Sequence, residues 1–152
     1  MAAVLNIVPF IDDEEEFKVF MNGFLSMVHD YHRESHTEEF EFDYARFVTM
    51  WQQGELGLFI ATDGNDAMGF TVAFKSYGFF EKSPTWVLSY AYIKESHRGD
   101  LMFIKDSIAK VMSYREQYGC SKGMVLSTPE LMPLHMQNGA ERIVFSGVTY
   151  SG

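Results

Sequence analysis

Three kinds of side chain in this sequence could take part in chemistry. His135 lies in a short segment with helical character, and a histidine there could donate a proton because its charge changes near neutral pH. The alternative interpretation is a surface histidine on a short helix. His32 and His36 are four residues apart, a spacing used in zinc sites, but no third ligand is fixed, so the sequence predicts no metal site. Cys120 lacks an accompanying His or Asn pattern, which disfavours a nucleophilic thiol.

A strand-to-helix junction over residues 93–103 could bind an anion. The unpaired N–H groups of a helix's first turn and the positive end of its dipole attract phosphate oxygens. Arg98 lies in this junction and adds a positive charge, and Gly99 follows it directly. The alternative is an ordinary helix start, at which Ser96 or Asp100 only caps the first turn.

The elements that would position these residues follow from hydrophobic periodicity. One helix is predicted to start at the carboxylates of residues 12–16 and to end near His29, and a second is capped by Asp43. Residues 30–42 are predicted to be irregular. Strands are predicted at Val4–Val8, Leu56–Thr62, Met68–Lys75, Thr85–Ile93, Gly123–Ser127 and Ile143–Tyr150. Two further helices are predicted from about Gly99 to Tyr118 and from Pro129 to about Asn138.

The order of these elements predicts the α+β class, with one mixed, mainly antiparallel sheet and helices on both of its faces. Within the sheet, Gly123–Ser127 is predicted to lie parallel to Thr85–Ile93. Strict alternation along Thr85–Ile93 predicts that one face holds Trp86, Leu88, Tyr90 and Tyr92. Residues 1–152 are predicted to form a single domain.

Composition and charge disfavour several classes of function. The chain has 152 residues, with 12 Lys and Arg against 21 Asp and Glu, for a net charge of −9. Because nucleic acids and anionic membranes are also negative, this charge disfavours both as partners. No segment approaches the roughly 20 apolar residues of a membrane span, and no signal region is visible. With a single cysteine, the sequence predicts a cytoplasmic setting, including a host cytoplasm or a virion assembled there.

The order of elements, and in motif the segment Ile93–Gly139, resemble the GNAT superfamily of acyl-CoA N-acyltransferases. In that family a central strand runs into a loop of the form Arg-x-x-Gly-x-Gly or Ala, which opens a long helix and holds the coenzyme A pyrophosphate. The resemblance implies acetyl-CoA as cofactor, with binding residues at Ile93, His97, Arg98, Gly99, Asp100, Leu101 and Met102. It places His135 where the family has a tyrosine that protonates the leaving thiolate, which implies a catalytic role for His135.

Two departures from the family pattern bear on the cofactor. Leu101 and Phe103 stand where the family has small residues that let the loop close on the pyrophosphate, and Asp100 adds a negative charge beside them. In addition, the predicted strand Thr85–Ile93 carries no carboxylate that could act as a general base. The sequence therefore predicts a divergent or degenerate member, of a kind that includes viral proteins, with weak acetyl-CoA binding or none.

Two functions from different classes stay open. One is acyl-CoA-dependent transfer of an acetyl or acyl group to an amine on a small molecule or protein. The other is a non-catalytic binding or structural protein on the same fold, such as a phage virion-associated or anti-defence protein. The loop Tyr77–Phe80 has two adjacent Phe residues, which puts at least one of them on the surface unless something covers it. Three interpretations stay open for this loop: a substrate lid, a contact with a second copy of this chain, or a hydrophobic anchor on a partner protein.

Overall fold

The computed structural model describes residues 3–35, 41–125, 132–141 and 150. Its elements, in chain order, are β1 (Val4–Val8), α1 (Glu14–Ser35), α2 (Tyr44–Gln52), β2 (Leu56–Asp63), β3 (Asp66–Ser76), β4 (Thr85–Ile93), α3 (Leu101–Ser113), β5 (Lys122–Val125) and α4 (Met132–Gln137). A 3₁₀ turn at Glu95–His97 lies between β4 and α3. The strand predicted at Ile143–Tyr150 falls, apart from its last residue, outside the described residues.

The described strands form one five-stranded sheet in the order β1-β2-β3-β4-β5. Neighbouring strands are antiparallel from β1 to β4, and β5 is parallel to β4, with Val87 opposite Met124. The parallel pairing predicted for β4 and β5 is therefore confirmed. Because a parallel neighbour needs a crossover, α3 carries the chain between these two strands.

Helices cover both faces of the sheet, as the α+β prediction requires. Along β2, Leu58 packs with the helices α1 and α2, whereas its neighbour Phe59 packs with α3. The first core is centred on aromatic rings such as Phe24, and the second contains Trp86. Both cores bury their central side chains almost completely.

The first helix is longer than the sequence predicts. Instead of ending near His29, α1 continues to Ser35, so the prediction of an irregular segment is wrong for residues 30–35. The ring of Tyr31 packs 6.0 Å from that of Phe70 and 6.4 Å from that of Tyr90, both on the sheet. These tertiary contacts stabilise the last turns of α1, residues 30–35, in which local helix propensity is low. Among the described residues, no helix has the length and apolar character needed to cross a membrane.

A β-bulge in β4 overturns the predicted faces of this strand. Val72 pairs with Tyr90 but Ala73 pairs with Leu88, so Ser89 is an extra residue with no partner on β3. One extra residue reverses the alternation of all that follow. Trp86 and Leu88 therefore face α3, whereas Tyr90 and Tyr92 face α1. The single face predicted for these four side chains is wrong.

The third helix is shorter than predicted at both ends. It begins at Leu101, because the Asp100 carboxylate accepts a hydrogen bond from the Phe103 N–H (3.0 Å) and caps the helix there. It ends at Ser113 rather than Tyr118. A series of turns follows up to Gly119, whose φ of 74° is a conformation that favours glycine.

Candidate functional site

The junction between β4 and α3 holds the residues predicted to bind the cofactor. Its backbone turns back on itself: the N–H groups of His97, Arg98 and Leu101 donate to the carbonyl oxygens of Lys94, Glu95 and Gly99 at 2.9, 3.2 and 3.1 Å. These N–H groups are therefore already bonded within the junction. Leu101 and Met102 are exposed, with 56% and 64% of their surface accessible.

The anion-binding position at the start of α3 is taken by the protein itself. The Asp100 carboxylate bonds to the Phe103 N–H, and the Asp100 carbonyl accepts from the N–H of Ile104 at 3.1 Å. A carboxylate in this place satisfies one of the unpaired N–H groups, that of Phe103, and interacts favourably with the positive end of the helix dipole. Asp100, and not Ser96, is the residue that caps the first turn of α3.

Arg98 is held by groups outside the junction. Its Nη2 donates to Glu34 Oε2 of α1 at 2.6 Å, its Nε donates to the Ile93 carbonyl at 2.8 Å, and its guanidinium lies 5.7 Å from the ring centroid of Tyr92. Both ends of the Arg98–Glu34 pair are partly exposed. The guanidinium predicted to hold phosphate thus faces a carboxylate of its own chain.

His97 ties the same junction to the sheet. Its Nε2 lies 3.0 Å from Asp63 Oδ2 at the end of β2, and its Nδ1 lies 2.9 Å from the Ser96 hydroxyl. His97, Arg98 and Asp100 therefore all engage partners within the protein, which fixes the junction against β2 and α1.

A cavity of about 280 Å³ opens beside the junction, between β4, α3 and α4. The described part of β5 pairs only with Thr85–Leu88, and beyond the bulge at Ser89 the edge of β4 lies against this opening. Its lining is largely apolar and includes Ile93 and Phe103, with Thr71 as a polar member. Phe103 packs against the second core, which contains Trp86 and lies between α3 and the sheet. Its ring therefore lies on the sheet side of α3 and not in front of the N-terminus of this helix.

His135 is the buried titratable group of this cavity. It is 7% exposed, and its Nε2 has no hydrogen-bond partner among the described residues. Burial holds the pKa of His135 below its ordinary value of 6.5. The Asn138 side chain donates to the Lys105 carbonyl at 3.1 Å, which fastens α4 to α3 and places His135 at the cavity. His135 is thus not the surface histidine of the alternative interpretation.

The stability of the protein should fall as pH drops below about 6.5 through His135. Because the folded-state pKa is lowered, the unfolded chain binds the proton more readily, so acid favours unfolding in this window. Urea denaturation between pH 5 and 7.5 should show a smaller pH slope for His135→Gln than for the wild type. His29→Gln removes an exposed histidine and is the matched control. An unchanged slope in His135→Gln would contradict the buried neutral state.

Two other candidates from the sequence have no chemical environment that supports them. Cys120 is buried, and burial raises the pKa of its thiol, which keeps it protonated and unreactive. Within the described ranges, no cluster of three or more His, Cys, Asp or Glu side chains could hold a metal ion. His36 lies outside these ranges.

A second opening of about 330 Å³ lies on the other face of the sheet, between α1, α2 and strands β2 to β4. We call it the aromatic groove, and it is lined by Phe24, Tyr31, Phe42, Phe47, Phe70, Phe74 and Tyr90. Charged side chains at its rim are Glu41, Asp43 and Arg46. The groove offers ring faces and edges to a ligand, with mixed charge at its border.

Solved structures of acetyltransferases share this architecture. An aminoglycoside acetyltransferase from an uncultured soil metagenomic sample, in complex with trehalose, matches with a TM-score of 0.69 at 11% identity, covering 98% of this chain and 97% of that one. Glucosamine-6-phosphate N-acetyltransferase from Arabidopsis thaliana matches with a TM-score of 0.69 at 10% identity, covering 99% of both chains. The chain has the GNAT fold.

A further solved structure with this fold contains a coenzyme A derivative. The aminoglycoside acetyltransferase AAC(6')-Iy, in complex with the bisubstrate analog CoA-S-monomethyl-acetylneamine, matches at 18% identity with a TM-score of 0.66, covering 99% of this chain and all of that one. No protein-family model and no curated protein matches the sequence. At these identities the likeness concerns the fold, and the site must be argued from this chain's own residues.

Two residues of the GNAT-fold junction were missed by the sequence analysis. Glu34 and Asp63 hold Arg98 and His97, and they lie 64 and 34 residues away along the chain. No motif marks either residue. Glu34 lies in the stretch predicted to be irregular, so its position on α1 facing the junction could not be anticipated.

Proposed function

We propose that this protein uses the GNAT fold as a non-catalytic binding module and does not carry out acetyl-CoA chemistry. The observation that carries the proposal is the Asp100 carboxylate at the N-terminus of α3, bonded to the Phe103 N–H. In GNAT enzymes the pyrophosphate of coenzyme A occupies the loop and helix start that correspond to this position. The neighbouring cavity of about 320 Å³ between β1 and α3 is also lined by Asp106 and Lys110, so a phosphate there would meet two carboxylates and one ammonium group.

Two features of the junction oppose the binding of coenzyme A, the Asp100 carboxylate and the Arg98–Glu34 ion pair, and their energies differ. Bringing a phosphate charge to about 4 Å from the Asp100 carboxylate costs roughly 1–4 kcal/mol per charge pair between bulk-water and near-surface dielectric values. Moving the carboxylate away instead loses a helix cap worth about 1 kcal/mol. The partly exposed Arg98–Glu34 pair is worth less than about 1 kcal/mol, so a ligand could break it. As long as the Asp100 carboxylate stays at the start of α3, its repulsion is the larger of the two obstacles to coenzyme A.

A second candidate function is acyl transfer from a coenzyme A thioester to an amine, and the cavity with His135 favours it. In such a reaction the amine nitrogen would bond to the thioester carbon as the carbon–sulfur bond breaks, and amides of β4 would polarise the carbonyl. His135 would donate a proton to the leaving sulfur and recover one from the nitrogen of the attacking amine. The net charge of −9 would favour a cationic acceptor. The lowered pKa of His135 leaves little imidazolium at neutral pH, which disfavours this role.

Calorimetric titration of the purified chain with acetyl-CoA decides between the two candidates. We expect a dissociation constant above about 1 mM, the range in which only weak, nonspecific contacts remain. Micromolar binding, followed by transfer of the acetyl group to a polyamine or a lysine peptide, would overturn the proposal and favour the enzyme. The same protein should be shown by circular dichroism to be folded.

We also propose the extent of the domain, the cellular setting of the protein and its candidate partners. Matched acetyltransferases are covered over 97–99% of their length, which supports one domain over residues 1–152. The single cysteine supports a cytoplasmic or virion setting. Candidate partners are an amine-bearing small molecule at the cavity, or a protein at the exposed Tyr77–Phe80 loop.

A further inference from the structure

The loop between β3 and β4 presents two phenylalanine rings to solvent. Phe79 is 100% exposed and Phe80 is 97% exposed, beside Tyr77 at 64%. Burying such a side chain at a contact removes apolar surface from water and so favours association. Two adjacent, fully exposed rings on a loop are an interaction surface rather than the scattered apolar residues found on every protein.

The loop is held in place at both ends, which fixes where these rings point. The Tyr77 hydroxyl donates to Glu55 Oε2 at 2.7 Å, and the hydroxyls of Ser83 and Ser121 lie 2.8 Å apart. The Glu81 carboxylate folds over Gly78 and occupies the space that a larger residue there would need. A loop fixed in this way loses less entropy when its rings dock on a partner.

The aromatic groove lies at the same end of the sheet as this loop. Leu56 and Phe74 line the groove, and they belong to the ends of β2 and β3 from which Glu55 and the loop extend. A dry cavity of roughly 150 Å³ is enough for one benzene molecule, so the groove, at about 330 Å³, can take two phenyl rings. One end of the molecule therefore carries both a pair of exposed rings and an aromatic opening that fits them.

The charges next to the two surfaces also match. Glu81 and Lys82 follow the two phenylalanines, and the groove's rim carries Arg46 on one hand and Glu41 and Asp43 on the other. Acidic and basic groups can thus pair across a contact, although two copies at −9 each repel one another at long range. Salt should weaken that repulsion and favour association.

We propose that two copies of this chain associate about a two-fold axis, with the Phe79–Phe80 loop of each copy inserted into the aromatic groove of the other. Because loop and groove lie at one end of the molecule, a two-fold arrangement makes both contacts at once. Four phenylalanines bury roughly 600–1,000 Å² and the groove walls add a smaller area, which together reach about the 1,000 Å² that a specific interface needs. The inference is independent of whether acetyl-CoA binds.

Sedimentation analysis of the full chain between about 1 and 100 μM tests the proposal, a range in which dimers of ordinary affinity dissociate. The wild type should be a dimer at the upper end, with tighter association at 0.5 M salt than at low salt. Phe79→Ser with Phe80→Ser should raise the dissociation constant by roughly 100-fold or more, since each ring is a central anchor. The matched control is Val19→Ser with Met102→Ser, which replaces two exposed apolar residues away from both surfaces.

A complementation experiment identifies the groove as the receptor. Tyr90→Lys places a charge in the groove while leaving the loop intact, and Tyr90 is half-exposed, so the fold should survive. Each variant alone should be monomeric, whereas a mixture of the loop variant and Tyr90→Lys should form heterodimers through the one intact contact. A monomeric wild type, or a dimer that persists in the loop variant, would overturn the proposal and assign the loop to a different protein.

Discussion

Asp100→Ser combined with Leu101→Gly should gain affinity for coenzyme A by at least about tenfold over the wild type. Serine keeps a good helix cap while it removes the negative charge that meets the phosphates. Glycine at position 101 removes a side chain that stands where GNAT enzymes have a small residue. A gain of tenfold corresponds to about 1.4 kcal/mol, which lies within the repulsion expected from one carboxylate near the surface.

Calorimetry with coenzyme A and acetyl-CoA measures this gain. The control is Glu116→Gln with Leu101→Gly, which removes one exposed charge beyond the end of α3 and so reproduces the change in net charge. If both double variants bind equally, the Asp100 carboxylate is not what excludes the phosphates. Phe103 is left unchanged because its ring packs in the core and its removal would weaken the helix contact with the sheet.

Trp86→Ala should destabilise the protein by about 3–5 kcal/mol, the largest effect expected from a single change. The Trp86 side chain is fully buried, its ring stacks on Tyr118 with centroids 4.3 Å apart, and its Nε1 donates to the Val111 carbonyl at 2.9 Å. The substitution leaves a cavity and removes a buried hydrogen bond. Since a small domain has only about 5–15 kcal/mol of stability, this loss should bring the variant close to unfolding.

Urea denaturation measures the effect, and the control Val19→Ala, at an exposed site on α1, should change the unfolding free energy by less than about 0.5 kcal/mol.

A double-mutant cycle with Gly57 adds a sharper test of the packing around Trp86. A Cβ at Gly57 would lie 2.9 Å from Trp86 Cη2, so Gly57→Ala should destabilise the wild type. In the Trp86→Ala background the cost should shrink, because the contacts with Trp86 are then gone and only that with Phe59 Cε2, at 3.2 Å, remains. Equal costs in both backgrounds would contradict the packing described for Trp86.

The junction between β4 and α3 shows how far local sequence reasoning reaches. Asp100 was one of two caps that the sequence allowed, and the capping hydrogen bond to Phe103 selects it. Leu101 and Phe103 were recognised as departures from small residues, but helical spacing left the direction of Phe103 undecided. Only the packing of its ring against the second core, which contains Trp86, shows that Phe103 lies on the sheet side of α3. We therefore expect the charge of Asp100, and not the bulk of Phe103, to oppose the binding of coenzyme A.

Elements whose signals are local were predicted well. The periodicity of two predicts β2, β3 and β4 within one or two residues of their observed bounds, and the capping residue Asp43 predicts the start of α2. Their order along the chain also predicted the parallel neighbour of β4. These signals act within a few residues, so they can be read without the rest of the fold.

Features that depend on distant parts of the chain were decided only by the tertiary structure. The bulge at Ser89 reverses the faces of Tyr90 and Tyr92, and no residue type near it marks the extra position. The last turns of α1 form because Tyr31 packs on the sheet, and this brings Glu34 to Arg98. The sequence by itself determined which elements exist and in which order, because hydrophobic periodicity and caps are local. Which side chains meet at the junction depends on register and packing between segments far apart in sequence, which only the folded chain specifies.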